Sequence, residues 1–479
     1  MTRFRRVMKK IGKGFLIFLI ILAVVHAVSS AILSRKLEAK IAGIKAQGDP
    51  ISTLDLGKID VPDSENAATV YLKIFDDMGT GITYRNGVPQ MVGNRQGDLE
   101  LLKKHGDIRK IAAWEKLYNI RTDEKRTSQM WDDARKSLTT YKDAFELTDE
   151  AISMPYCKFR TNWNDGPGVL FPYYAGVRQL ARLCHTDALV YIRDGNTDAA
   201  VKDASRIFGI GKSLKNEPTL IGQLVRYAIL SIGMQCVREL SANGLNATQA
   251  QILEKALSDT DLYDGFVICM KGERACYITS YRMLMSGNNM AFTNGMNANQ
   301  DMPLYGKIGL YVGRPLLYGN MMACLDIMAG YVKDAEVPVM YRDNYAADGT
   351  EVVSGKPIPG GLFTVLAKMF LPVFSRASLQ RDACEAGIIS CRTMLELVKY
   401  KHTFGVYPKS FDELKSQLKV DVPVDPMSGK DFRYKRQGEG FLLYSIGPNM
   451  RDDGGKWDRR SMYAPSGKDL DDIVWTMTK

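Results

Sequence analysis

Histidine is scarce in this chain. Four occur in 479 residues, at His26, His105, His185 and His402, so general acid/base chemistry by imidazole is poorly supplied. Cys184 and His185 are neighbours on an expected helix and point about 100° apart, which does not preorganise a nucleophile and its base. Neither G-x-S-x-G nor H-E-x-x-H occurs, which removes the common hydrolase signatures. The eight cysteines include no C-x-x-C pair, so they offer no zinc-ligand spacing, and Cys384 and Cys391 lie about 10 Å apart along a helix, beyond disulfide reach. Cys157, Cys184, Cys269 and Cys276 stay open as partners in an oxidising envelope. Gly209-Ile210-Gly211-Lys212-Ser213 ends like a phosphate-binding loop. Its first glycine is missing, because Arg206 stands there, and no strand precedes it, which excludes a nucleotide site.

The net charge of +10 invites a nucleic-acid reading, but its distribution removes it. Residues 1–40 hold nine Lys or Arg and one acid, Glu38, leaving +2 for the remaining 439 residues. The body therefore has no electrostatic footprint for nucleic acid. The basic residues flank an apolar run from Phe15 to Leu33, broken only by His26 and Ser29-Ser30. These nineteen residues span roughly 28 Å as a helix, enough for a hydrocarbon core. Arg3, Arg5, Arg6, Lys9, Lys10 and Lys13 precede it, and Arg35, Lys36 and Lys40 follow. This bias predicts a single-pass inner-membrane anchor with a cytoplasmic amino terminus and a periplasmic or otherwise extracytoplasmic bulk. A cleaved signal peptide ending at Ala27 or Ala31 is the alternative; the apolar run continues past both to Ile32-Leu33, which favours the uncleaved anchor.

Residues 41–62 read as a linker and 63–335 as a helical ectodomain. Apolar spacing predicts helices over Asn66 to Met78, Asp98 to Tyr118, Trp131 to Ile152, Gly176 to Arg193, Thr197 to Leu214, Thr219 to Ser241, Ala247 to Leu257 and Pro303 to Val332. Gly79 to Gly97 reads as a loop or small hairpin. Asp194-Gly195-Asn196 marks a tight turn of a helical hairpin, although no repeat period runs along the chain. Tyr156 to Tyr174 is aromatic and irregular, and a ligand groove there competes with rings that fill a core. Residues 336–379 read as a connector with a buried or interfacial apolar segment.

Residues 380–479 carry the most pattern. A long helix ends near Phe404, Ser410 and Glu413 form a capping box, and aromatic and branched strands over Phe432 to Arg436 and Phe441 to Ser445 flank a hairpin loop. Phe432 and Tyr434 should share one sheet face, with Arg433 and Lys435 on the other. The sequence then runs through Tyr444-Ser445-Ile446-Gly447-Pro448-Asn449 into Asp452-Asp453-Gly454-Gly455 and on to Asp472-Ile473-Val474-Trp475. With Tyr407-Pro408-Lys409-Ser410 and Pro423-Val424-Asp425-Pro426, this order resembles the periplasmic domain of type II secretion major pseudopilins over about a fifth of the chain. The resemblance implies a calcium ion in the final loop, with Asn449, Asp452, Asp453 and Asp472 as side-chain ligands. Asn449 stands where the family has an aspartate, which implies weaker binding. Lys13-Gly14-Phe15 resembles a prepilin processing site, but Leu19 replaces the glutamate that assembly needs.

The basic anchor, followed by Gly48-Asp49-Pro50 and Pro62-Asp63-Ser64-Glu65-Asn66-Ala67-Ala68, resembles the layout of a group of uncharacterised membrane-anchored bacterial envelope proteins. The expected fold is mainly α, with an amino-terminal transmembrane helix, a helical-hairpin ectodomain and a carboxyl-terminal α+β domain bearing a short antiparallel sheet. The expected function is a non-enzymatic, membrane-tethered scaffold or binding module that meets envelope proteins. One alternative is an enzyme with its site near Trp163 and Tyr174, and another is an accessory partner of a secretion system.

Overall fold

Helical spacing of apolar residues and well-placed caps build most of this protein, as a computed structural model describes for residues 2–58, 61–78, 82–85, 88–91, 113–120, 125–286, 304–342, 352–353, 356–357, 365–456 and 472–477. Helix α1 (Thr2–Ala46) is one uninterrupted element of 45 residues. Its apolar stretch is exposed on all sides from Phe15 to Val25, whereas Leu37, Ile41 and Ile44 are buried against Ile278, Met321 and Leu325. The helix thus enters the body instead of ending at residue 40, and residues 41–46 of the expected linker belong to it. It stops at Gly48, whose φ of 81° is left-handed and followed by Asp49-Pro50.

A single turn, α2 (Thr53–Leu56), precedes α3 (Ala67–Asp77), which Asn66 caps by accepting the Ala68 N–H. The expected loop or hairpin after α3 contains β1 (Ile82–Arg85) paired antiparallel with β2 (Val88–Met91). Of the helix expected over Asp98 to Tyr118, residues 98–112 lie outside the described residues, and α4 (Ala113–Asn119) is its end. The helix expected over Trp131 to Ile152 is two, α5 (Ser128–Leu138) and α6 (Lys142–Ser153), separated by a 3₁₀ turn. There the Thr139 and Thr140 hydroxyls donate to the Lys136 and Ser137 carbonyls, at 2.8 and 2.7 Å, which favours the break.

Helices α7 (Tyr173–Arg193) and α8 (Thr197–Ser213) form the hairpin around Gly195, and α9 (Leu220–Ala242) packs on both. Gly209 and Gly211, which resemble a phosphate loop, sit inside α8. A Cβ on them would come within 2.8 Å of Ile152 and 2.7 Å of Leu230, so these glycines admit neighbouring helices. Helix α9 is also long and apolar enough to cross a membrane, yet two-thirds of that window is buried, which marks a core helix. Then follow α10 (Ala247–Leu257), with an Asn246/Gln249 capping box, α11 (Tyr263–Met285) and α12 (Leu304–Ala335). In the expected connector, β3 (Val352–Val353) pairs with β4 (Lys356–Pro357).

The long helix of the carboxyl-terminal region, α13 (Val365–Phe404), lies on α9 and α10 and leads to α14 (Phe411–Leu418), capped by Ser410. A three-stranded antiparallel sheet follows, with β6 (Gly440–Ser445) between β5 (Arg433–Gln437) and β7 (Ile473–Met477). Gly438, at φ 55°, and Glu439 make the hairpin turn, tighter than the expected four-residue loop. Phe432 is buried and Tyr434 half-buried against the core, while Lys435 is exposed, which follows the pleat. Cys384, Ile388, Met394, Leu395 and Val398 of α13 share one hydrophobic cluster with Phe441, Leu443 and Trp475 and with Phe208 and Leu230 of the helical body. The core is therefore continuous across residue 380.

Candidate functional site

The aromatic segment between α6 and α7 does two things at once. Most of its rings fill the core: Phe159 stacks on Tyr173 at 4.0 Å, Phe171 on Tyr174 at 5.3 Å, and Tyr173 meets Tyr174 edge-on at 4.7 Å. Tyr173 and Tyr174 are almost fully buried, and Trp163 nearly so. Beside them a cavity of about 210 Å³ opens between Gly57, Asn66, Lys158, Arg160, Thr161 and Trp163. Asn66 fixes one wall, because its side chain accepts the Lys158 N–H at 2.8 Å and donates to the Lys158 carbonyl at 3.0 Å. Among the described residues no histidine lines this cavity.

Two small hydroxyl groups lie at and below the aromatic segment, Thr161 with Tyr173 and Tyr174 with Glu217 and Thr219. The Thr161 hydroxyl lies 3.1 Å from that of Tyr173, whose ring meets Tyr174 edge-on. The Tyr174 hydroxyl donates to Glu217 at 2.6 Å and lies 2.9 Å from the Thr219 hydroxyl. Burial pushes the Glu217 carboxyl up to about 7, against the opposing pull of the Tyr174 hydrogen bond and the Lys158 charge. This arrangement can hold a proton at Glu217 within the core, beside the Tyr174 hydroxyl. Sequence reasoning singled out Trp163 and Tyr174 but missed Glu217, a lone acid in the connection from α8 to α9. Its only sequence signal is an acid just ahead of the Pro218-Thr219 helix start.

The thiols offer no nucleophile. All eight cysteines are free, and burial pushes Cys157 and Cys184 well above the ordinary thiol range. His185 is engaged by Glu239, with Nε2 and carboxylate oxygen 2.7 Å apart.

In the carboxyl-terminal loop, three of the four expected ligands come together. Asn449 donates to Asp453 at 2.9 Å, and the buried Asp472 accepts the Asp453 and Gly455 peptide N–H groups at 3.3 and 2.8 Å. Asp452 turns elsewhere: it accepts from Arg433 Nε and from the Tyr444 hydroxyl, both at 3.0 Å. Burial, reinforced by the charges of Asp453 and Asp452 and opposed by the two peptide N–H groups, pushes Asp472 up to about 6. Among the described residues, no three acidic, histidine or cysteine side chains converge as a ready metal cluster. The donors of Asn449, Asp453 and Asp472 are hard oxygens suited to calcium, while the Arg433 pair draws Asp452 out of the set. Comparison with protein-family models, curated proteins and solved structures returned no match, so the chemistry of these two places carries the functional argument.

Proposed function

We propose that this chain is a non-enzymatic, membrane-tethered envelope scaffold or binding module whose body is held at a fixed orientation to the bilayer. The observation that carries this reading is α1, which runs without a break from an exposed apolar stretch into a docking site on the body. Lys40 pairs with Asp326, and Arg282 reaches Glu38 at 3.4 Å, so both signs of charge lock the helix just past the apolar run. A flexible tether would leave the body free to rotate; a continuous helix holds it in one orientation to the bilayer, so a fixed set of its surfaces meets partners. The basic residues before Phe15 favour a cytoplasmic amino terminus and an extracytoplasmic body. Photo-crosslinking in intact cells from Arg160, at the cavity rim, and from Glu439, in the hairpin turn, tests the reading. Discrete protein adducts that require the anchored chain are expected, and an expressed chain that gives no adduct at either position overturns it.

Calcium in the carboxyl-terminal loop, suggested by the pseudopilin resemblance, is part of the same reading. An ion held by Asn449, Asp453 and Asp472 converts mutual repulsion into attraction. At about 100 times its dissociation constant it would add about 2.7 kcal/mol to the native state. Thermal unfolding of the full chain in mild detergent should then show a higher midpoint with calcium than with chelator, and Asp472→Ala should erase the difference. Equal midpoints for the natural chain in both buffers remove the ion from the proposal. The raised carboxyl of Glu217 beside the Tyr174 hydroxyl is the observation that favours the rival enzyme reading, with acid/base chemistry near Tyr174.

A further inference from the structure

Helix α12 exposes a row of large apolar side chains at its start. Leu304, Tyr305, Ile308, Tyr311 and Val312 are 54–80% exposed, far more apolar surface than one helix of a water-facing body leaves open. What lies beside them is α1. His26 Nε2 donates to the Val312 carbonyl at 3.2 Å, and fourteen residues further along both helices Lys40 pairs with Asp326. Both contacts have the same sequence separation, 286 residues, so the two helices run parallel and in constant register. Continued at that register, Ile308 and Leu304 come level with Leu22 and Phe18, inside the apolar run of α1.

The polar interruptions of that run fall on the same side. His26, Ser29 and Ser30 are half-buried and continue through Leu33 to the buried Leu37, a helical stripe facing the body, while Val24, Val25, Val28 and Ile32 point outward. Polar groups at membrane depth turn toward protein, where a partner helix can satisfy them. Pro315 adds to the fit. It lacks the N–H that would close the helix onto Tyr311, and the next carbonyl, Val312, takes its hydrogen bond from His26. Tyr281 and Tyr318 meet at 6.4 Å level with Ile32, where the apolar run ends and aromatic side chains suit the headgroup boundary. Two cations interrupt the row: Arg314 lies 5.2 Å over the Tyr311 ring, and the stem of Lys307 is long enough to lift its ammonium along the helix.

We propose that the first half of α12 is a second membrane-embedded element, packed on the anchor through His26 and facing lipid acyl chains with Leu304, Ile308 and Val312. The proposal rests on the reading of α1 as the anchor. Its test uses the purified full chain in lipid nanodiscs, with single cysteines at Ile308→Cys, Val312→Cys, Val25→Cys and, at an exposed position of α14, Ser416→Cys, and a water-soluble maleimide. The natural chain measures the background of its own buried thiols. Cysteines at 308, 312 and 25 are expected to react at least about tenfold more slowly than at 416, and all four to react fully in SDS. Fast reaction at both 308 and 312 with protection at 25 overturns the embedding of α12 and leaves the anchor standing. Fast reaction at 25 as well overturns both.

Discussion

Replacing Arg381 with alanine is expected to destabilise the protein by about 3–5 kcal/mol, the usual cost of breaking a buried ion pair from one side. Arg381 is fully buried where α13 crosses the end of α12 and the start of α11. Its guanidinium donates to Asp382 at 2.6 and 3.0 Å and to the Ala335 carbonyl at 2.8 Å. Its flat faces lie 4.7 Å from Tyr263 and 4.9 Å from Phe266, and Arg342 binds the other oxygen of the buried Asp382. Alanine leaves a cavity between two rings and an unmet carbonyl, which adds to the electrostatic loss. Lysine keeps the charge but cannot fork to two acceptors while stacking, so Arg381→Lys should recover only part. The check is the thermal midpoint of the full chain in mild detergent, lowered by about 5 °C or more for alanine. An unchanged midpoint would mean that this junction does not hold the three helices together.

The second large effect is expected from pH. Glu217 holds its proton to about 7 in the folded protein, against an ordinary 4.5 in the unfolded chain, because burial penalises the carboxylate. A carboxyl raised on folding contributes stability that is full below about 4.5 and lost as pH rises through about 7, because the unfolded chain releases its proton first. The loss should level off near 3 kcal/mol above that range, on the order of 1.4 kcal/mol for each tenfold difference in proton affinity between the folded and unfolded chain. Glu217→Gln keeps an oxygen for the Tyr174 hydroxyl and has no proton to lose. Between pH 5 and 8 it should flatten the fall in stability that the natural chain shows. Asp187, raised to about 6, and Glu385, raised to about 7, both by burial, work in the same direction, so some slope will remain. Identical slopes for the natural chain and Glu217→Gln would show that Glu217 ionises freely in the folded state.

Local signals carried far in this chain where one face of an element meets one kind of neighbour. The helix over Ala247–Leu257 matches its expected bounds, because Asn246 and Gln249 cap each other and the helix needs little else. The hairpin of β5 and β6 was legible from alternation, since one face is covered and the other open. The third strand is different. Ile473–Met477 completes the sheet by pairing with β6 across a long sequence gap, and β-pairing at that distance has no local signature. Of the sites, the acidic loop was visible as a cluster of aspartates. Its division was not, because Arg433 and Tyr444, which take Asp452 away, come from the neighbouring strands.

By itself the sequence determined the mainly helical class, the apolar amino-terminal helix, the capped turns and the confinement of excess charge to the first forty residues, since each follows from near neighbours along the chain. Only the tertiary structure decided that α13 belongs to the helical body and the sheet at once, that Glu217 meets Tyr174 in the core, and that His26 and Val312 meet across 286 residues of separation. Such contacts join faces that are equally apolar or polar on many helices, and only packing them together selects which faces meet.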